Sequence, residues 1–195
     1  MEYLDSTWLA RPCEIVSPEL IGCILVRRRS DGQIYRGMIV ETEAYVQGDP
    51  ACHGHQRQTR RNAPMFGSPG LLYVYLIYGI HHCLNLVTDR AGIASAVLIR
   101  ALALDPFTPP LNQDISPKNF HRLAAGPGKL CRVLGIDRQL SGQPLAPETG
   151  LWLEPRPPHL KNSLELVQTT RIGLKQGQDI PWRWYLKNSP AVSRP

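Results

Sequence analysis

The apolar runs of this chain are short and are punctuated by Gly, Pro and Asp, a pattern of strands and turns more than of long helices. Gly22 to Arg29, the turn Ser30-Asp31-Gly32, and Gln33 to Glu43 read as a β-hairpin, because Asp-Gly between apolar runs is a strong local hairpin signal. Leu71 to Ile77, Tyr78-Gly79 and Ile80 to Val87 predict a second hairpin, a two-residue turn with Tyr78 at its tip and Gly79 free to take a positive φ. A further strand is predicted over Ala96 to Leu104, and shorter ones at Leu151–Glu154, Thr170–Leu174 and Trp182–Lys187. Ser17-Pro18 ahead of Glu19-Leu20-Ile21 has the form of an N-cap followed by proline at the first helical position. Lys129 to Leu134 reads as a helix opened by Gly126-Pro127-Gly128 and closed by Gly135, and residues 105–119 read as a loop. The expected fold class is α+β on an antiparallel sheet, in a single domain over residues 1–195.

Composition adds compartment and charge. At 195 residues and 43% hydrophobic, the chain is large enough to bury a core without a metal or disulfide staple. Its longest apolar run, Leu71 to Tyr78, is far short of the ~20 residues of a membrane span. The acidic start Met1-Glu2-Tyr3-Leu4-Asp5 has no signal-peptide character. Five cysteines (Cys13, Cys23, Cys52, Cys83, Cys131) without a C-x-x-C pair suit reduced thiols, so a cytoplasmic protein is expected. Net charge is +6, carried by 17 Arg and 5 Lys. Arginine favours bidentate phosphate contacts, so a polyanion such as nucleic acid is one reading and an Arg-rich bystander the other.

Several clusters offer chemistry. Alternation from Ile39 puts Glu41, Glu43 and Tyr45 on one strand face, where a carboxylate beside an aromatic can act as a general base; a solvated strand end bearing two acids fits the same residues. Cys52-His53-Gly54-His55 and His81-His82-Cys83 have zinc-ligand residue types but not zinc-site spacing, so no metal is expected. Tyr73 and Tyr75 share a face as a stacking wall, and Tyr78 is placed either to wedge between bases or to fold back on its sheet. The basic loop Arg57 to Asn62 and the helix start at Lys129 offer donors to phosphate, or are solvated charge. Neither a G-x-S-x-G elbow nor a dinucleotide fingerprint nor a P-loop is present.

Taken in order, IVETEAY (39–45), His53, RQTRRN (57–62), MFGSPG (65–70), LYVYLIYGIHHCLN (72–85), AVLIRAL (96–102), GPGKLC (126–131), TRIGL (170–174) and WYLKNSPAVS (184–193) resemble the alkyladenine (3-methyladenine) DNA glycosylase family. The resemblance runs from about residue 8 to the C-terminus. It implies a compact domain with a curved antiparallel sheet surrounded by helices, similar to the C-terminal domain of methionyl-tRNA formyltransferase, with a protruding hairpin. It also implies a monofunctional hydrolase, without cofactor, that flips alkylated purines such as 3-methyladenine and 7-methylguanine out of double-stranded DNA, with hypoxanthine and ethenoadenine as further candidates. Glu43 would be the general base and Arg100 would hold the water. Tyr45 and His53 would sandwich the base, Tyr75 would close the pocket edge and Asn85 would exclude normal guanine. Tyr78 would be the wedge, supported by Leu98, with Arg57, Thr59, Arg61 and Lys129 as candidate phosphate contacts. Gly-His-Gln after His53 and Arg60 in place of the usual proline depart from the family pattern and bear on base preference. Scarcity of lysine favours hydrolysis over Schiff-base chemistry. With no heptads visible, a monomer is expected. A non-catalytic nucleic-acid-binding module of the same fold is the competing reading; Glu43 is the residue that such a binder would not need.

Overall fold

A computed structural model describes residues 2–106, 117–160 and 163–194. Helices α1 (Ser6–Leu9) and α2 (Cys13–Leu20) come first, followed by β1 (Ile24–Arg28) and β2 (Ile34–Val46). A long loop leads to β3 (Leu72–Ile77), β4 (His81–Val87) and β5 (Ser95–Leu104). The rest of the chain forms α3 (Pro117–Phe120), α4 (Pro127–Leu134), β6 (Leu151–Glu154), β7 (Leu166–Thr169) and β8 (Arg183–Leu186). Every strand pair is antiparallel, in the order β3-β4-β5-β2-β1-β6. Strand β8 takes the length of β2 that β1 leaves free and pairs on its other side with β7. The α+β antiparallel architecture and both hairpins are as the sequence pattern predicts.

Helices are few: among the described residues only α2, against β2 and β5, and α4, against β4 and β5, reach eight residues. With 18 prolines and 16 glycines, much of the chain is held in loops instead. The principal core lies between these two helices and the sheet and includes Leu20, Leu25, Ile39, Leu72, Leu84, Leu86 and Ile99, all fully buried. Each is worth roughly 1.5–3 kcal/mol of burial.

Five local expectations are corrected. Ser17 and Pro18 lie inside α2, which begins five residues earlier after Pro12. Ser17 is buried, and its carbonyl accepts from the Thr42 hydroxyl (2.9 Å) instead of opening a helix. Residues 170–174 form no strand; β7 ends at Thr169, and Arg171 turns inward to a buried ion pair. The second hairpin has three residues between its last paired positions, Ile77 and His81. The predicted loop over 105–119 falls largely outside the described residues, and its last part opens α3.

The fifth correction shapes the site. The β2–β5 register slips between Ile39 and Glu41 and slips back before Thr42, leaving Val40 on one strand and Arg100 on the other unpaired. A bulge resets the alternation of side chains. Ile39 therefore packs in the principal core with Ala44, whereas Glu43 and Tyr45 face the other side of the sheet. The expectation that Ile39 shares their face fails for this reason.

Candidate active site

Neither acid of the Glu41-Thr42-Glu43 segment is solvated; both are fully buried. Glu41 is saturated by Arg100 Nε (3.0 Å), Arg183 Nε (2.8 Å), Ser193 Oγ (2.9 Å) and the Ser193 N–H (2.7 Å). Glu43 accepts on Oε2 from Arg100 Nη1 (3.1 Å) and the Tyr45 hydroxyl (2.8 Å), and on Oε1 from the Ile172 N–H (2.8 Å). Burial works against the charge of Arg100, but Glu43 and Glu41 outweigh it and push its pKa up. The strand bulge thus delivers one guanidinium to two carboxylates. Glu43 lines a cavity whose lining does not include Glu41.

That cavity, of about 230 Å³, is lined by Glu43, Tyr45, His53, Tyr73, Tyr75, Asn85, Leu98 and Arg100, together with Ile172 to Leu174. That is somewhat below the ~300 Å³ at which ligand pockets ordinarily start. Its walls are aromatic. His53 stands edge-on to Tyr75 at 4.5 Å between centroids, and Tyr73 lies 5.4 Å from Tyr75. Tyr45 and His53 both line the cavity. Burial raises all three phenols, Tyr73 to about 12, Tyr75 beyond that and Tyr45 well above the ordinary phenol value, so each stays a neutral ring and a donor. His53 is pushed below its ordinary value by partial burial and then by the Arg61 charge. In its neutral form, Nδ1 can accept from the Tyr73 hydroxyl at 2.8 Å.

Local structure explains how His53 is held. Gly54 packs so closely on Ala94 that a Cβ would sit 2.2 Å from the alanine methyl. The buried Asn62 gathers the loop, donating to the carbonyls of His53 (2.7 Å) and Arg57 (3.1 Å) and accepting from the Thr59 N–H (2.6 Å). Its amide acts as a turn organiser, a role that suits Asn. Asn85, which also lines the cavity, is buried and donates to the Tyr73 carbonyl (3.1 Å).

The sequence therefore singles out seven residues that meet in one place: Glu43, Tyr45, His53, Tyr75, Asn85, Leu98 and Arg100. The register partners of Leu98 are Glu43 and Asn85, four positions along β4 from His81 at the hairpin end. Arg57, Thr59, Arg61 and Lys129 are exposed and lie outside the cavity. A neighbouring cleft of about 680 Å³ shares Tyr75 and gathers Arg60, Arg61 and Arg138. Tyr78 is 82% exposed and Ile80 72%, an apolar tip left in solvent. Tyr78 takes φ 52° beside Gly79 at 73°, and a bulky residue there costs roughly 1–2 kcal/mol. Such strain is characteristic of functional turns.

All five cysteines are buried and unpaired, and burial raises every thiol, Cys13 to about 12 and Cys23 and Cys52 to about 11. Among the described residues no three His, Cys, Asp or Glu side chains converge as metal ligands, and no helix is long and apolar enough to cross a membrane. The sequence gives no local signal for Arg171, Asp49, Arg183 or Ser193. Arg171 meets Asp49 across 122 residues, and Ser193 meets Glu41 across 152.

Residues 7–190 match the methylpurine-DNA glycosylase family. The chain is 54% identical to a provisionally named 3-methyladenine DNA glycosylase of Trichodesmium erythraeum, covering 99% of this chain and 98% of that protein. It is also 54% identical to a similarly named protein of Synechococcus elongatus (98% and 92% covered) and 42% identical to one of Methanoculleus marisnigri (98% of both). With a buried carboxylate opening into an aromatic cavity and a match over nearly its whole length, the chain belongs to the methylpurine-DNA glycosylase family and is a monofunctional DNA glycosylase of base excision repair.

Proposed function

We propose that the cavity receives a damaged purine rotated out of double-stranded DNA and that Glu43 activates water to hydrolyse its N-glycosidic bond. The observation that carries this reading is the bonding of Glu43. Two donors occupy Oε2 and one occupies Oε1, so the remaining acceptor position of the carboxylate is on Oε1. A water there would give its proton to Glu43 as its oxygen bonds to C1′ of the sugar. The C1′–N bond breaks with its electron pair leaving on the base. The same carboxylate stabilises positive charge developing on the sugar, and Arg100 orients both carboxylate and water. None of the residues lining the cavity is lysine, so it offers no amine for a Schiff base, in keeping with plain hydrolysis.

Tyr45 and His53 would stack on the two faces of the base, Tyr75 would close its edge, and Asn85 would oppose the exocyclic amino group of normal guanine. A purine methylated at N3 or N7 is cationic, and neutral aromatic faces attract it by roughly 0.5–2 kcal/mol. Hypoxanthine and ethenoadenine lack that charge and must be selected by shape and hydrogen bonding. Weak pairing at a lesion lowers the cost of flipping. Tyr78 would fill the gap in the stack. Tyr78→Ala should leave thermal stability unchanged while weakening the fluorescence change of a flipped ethenoadenine at least about tenfold more than affinity for undamaged DNA. Unaltered flipping would remove Tyr78 from this role.

His53 supplies a pH dependence. Its pKa is lowered, so the native state disfavours the imidazolium, and stability present above pH ~6.5 falls as pH drops toward the folded value. A charged ring would also repel a cationic base. Capture of a 7-methylguanine duplex should therefore weaken below pH ~6 more than capture of a hypoxanthine duplex. Equal weakening for both would contradict a stacking role for His53. Arg57 and Arg61 would hold phosphates, so Arg57→Ala/Arg61→Ala should flatten the plot of log affinity against log salt by about 2. An unchanged slope would place the DNA backbone elsewhere.

A further inference from the structure

Behind the Tyr45 wall lies a charge that the chemistry above does not use. The Arg171 guanidinium is buried and stands 4.7 Å from the centroid of the Tyr45 ring and 5.5 Å from that of Trp182. Tyr45 lines the cavity and Arg171 does not, so the cation meets the tyrosine from outside the base slot. It is fixed there by two bonds to Asp49, one of them at 3.0 Å, and by the carbonyls of Ala44 (2.9 Å) and Gly177 (3.1 Å). Its Nε is buried and has no hydrogen-bond partner among the described residues.

We propose that Arg171 is a specificity-determining residue: its charge behind Tyr45 lowers the attraction of that wall for cationic bases and so admits neutral damaged purines on more equal terms. The inference rests on the reading of the cavity as a base slot. A cation is drawn to an aromatic face by the negative charge of that face. A ring that already faces a guanidinium on one side has less to offer a second cation on the other. The two positive charges also repel through the ring at low effective dielectric. Asp49 binds the outer edge of the guanidinium, so it damps the charge without abolishing it. Discrimination between cationic and neutral lesions would then be set in part by a residue that never touches the base.

Arg171 also holds the segment whose next residue, Ile172, donates to Glu43. A purely structural role would therefore slow excision of every lesion alike, and the test must read a ratio. The probes are duplexes carrying 2′-fluoroarabino 7-methylguanine, which is cationic, or 2′-fluoroarabino hypoxanthine, which is neutral; both resist hydrolysis. In Arg171→Met/Asp49→Asn the buried pair is replaced by neutral groups of similar size. The ratio of Kd for the neutral probe to Kd for the cationic probe should rise about three- to tenfold. Arg171→Lys keeps the charge and should stay within about twofold of wild type. Asp49→Asn alone keeps Arg171 and removes its shielding, so the ratio should move the other way, and this variant suffices if the double variant does not fold. Equal losses for both probes, or a shift of Asp49→Asn in the same direction as the double variant, overturn the proposal. If wild-type protein binds neither probe more tightly than undamaged DNA, the base-slot reading itself fails; if it does and the ratio stays fixed, only the role of Arg171 fails.

Discussion

Glu43→Gln is expected to lower single-turnover excision at least about a thousandfold while leaving lesion-duplex affinity within a few-fold of wild type. The amide matches the carboxylate in size, and its oxygen can still accept from the Ile172 N–H or the Tyr45 hydroxyl. It cannot take a proton from water, and it carries no charge to offset that developing at C1′. Folding should survive the change because Arg100 keeps its bond to Glu41. A thousandfold loss is about 4 kcal/mol of transition-state stabilisation, within the range that a positioned base and charge supply together. Excision at the wild-type rate would remove Glu43 from the chemistry.

Glu41, two residues away, should behave in the opposite manner. It has no face on the cavity, and its oxygens collect two arginines and both donors of Ser193. Glu41→Ala leaves Arg100 and Arg183 buried with one fewer carboxylate. Breaking one side of a buried ion network costs ~3–5 kcal/mol, because the partner charges lose their compensation without regaining water. In a chain of this size each kcal/mol shifts Tm by roughly 2–4 °C, so a fall of about 6–20 °C is expected. Glu41→Gln should be milder in Tm and retain excision within about tenfold in the folded fraction. A Glu41→Ala protein with unchanged Tm but no excision would transfer the catalytic assignment from Glu43 to Glu41.

The contrast between these neighbours marks how far the sequence could be read. Period-two alternation correctly paired Glu43 with Tyr45, but it extended that face back to Ile39, because no local residue announces the bulge at Val40 and Arg100. The hairpin bearing Tyr78 was legible from Tyr78-Gly79 between apolar runs, since turn chemistry is local. The length of its turn was not, because it depends on where Ile77 and His81 pair. Family resemblance gathered Glu43, Tyr45, His53, Tyr75, Asn85 and Arg100, which line one cavity. Leu98 lines the same cavity. The partners that orient Glu43, Tyr45 and His53 have no local signature because they are long-range or made by the backbone: the Ile172 N–H, Arg171 and Asp49, and the side chain of Asn62. Such contacts arise from the tertiary fold, and nothing in a run of ten residues encodes them.

The most direct measurement is incubation of the purified protein with a duplex carrying one 7-methylguanine or hypoxanthine, with released base and strand length followed before and after alkali. The account predicts that the damaged base is released free and that the strand stays intact until alkali cleaves the abasic site. Retention of the base in the DNA, or cleavage of the strand before alkali, would contradict it.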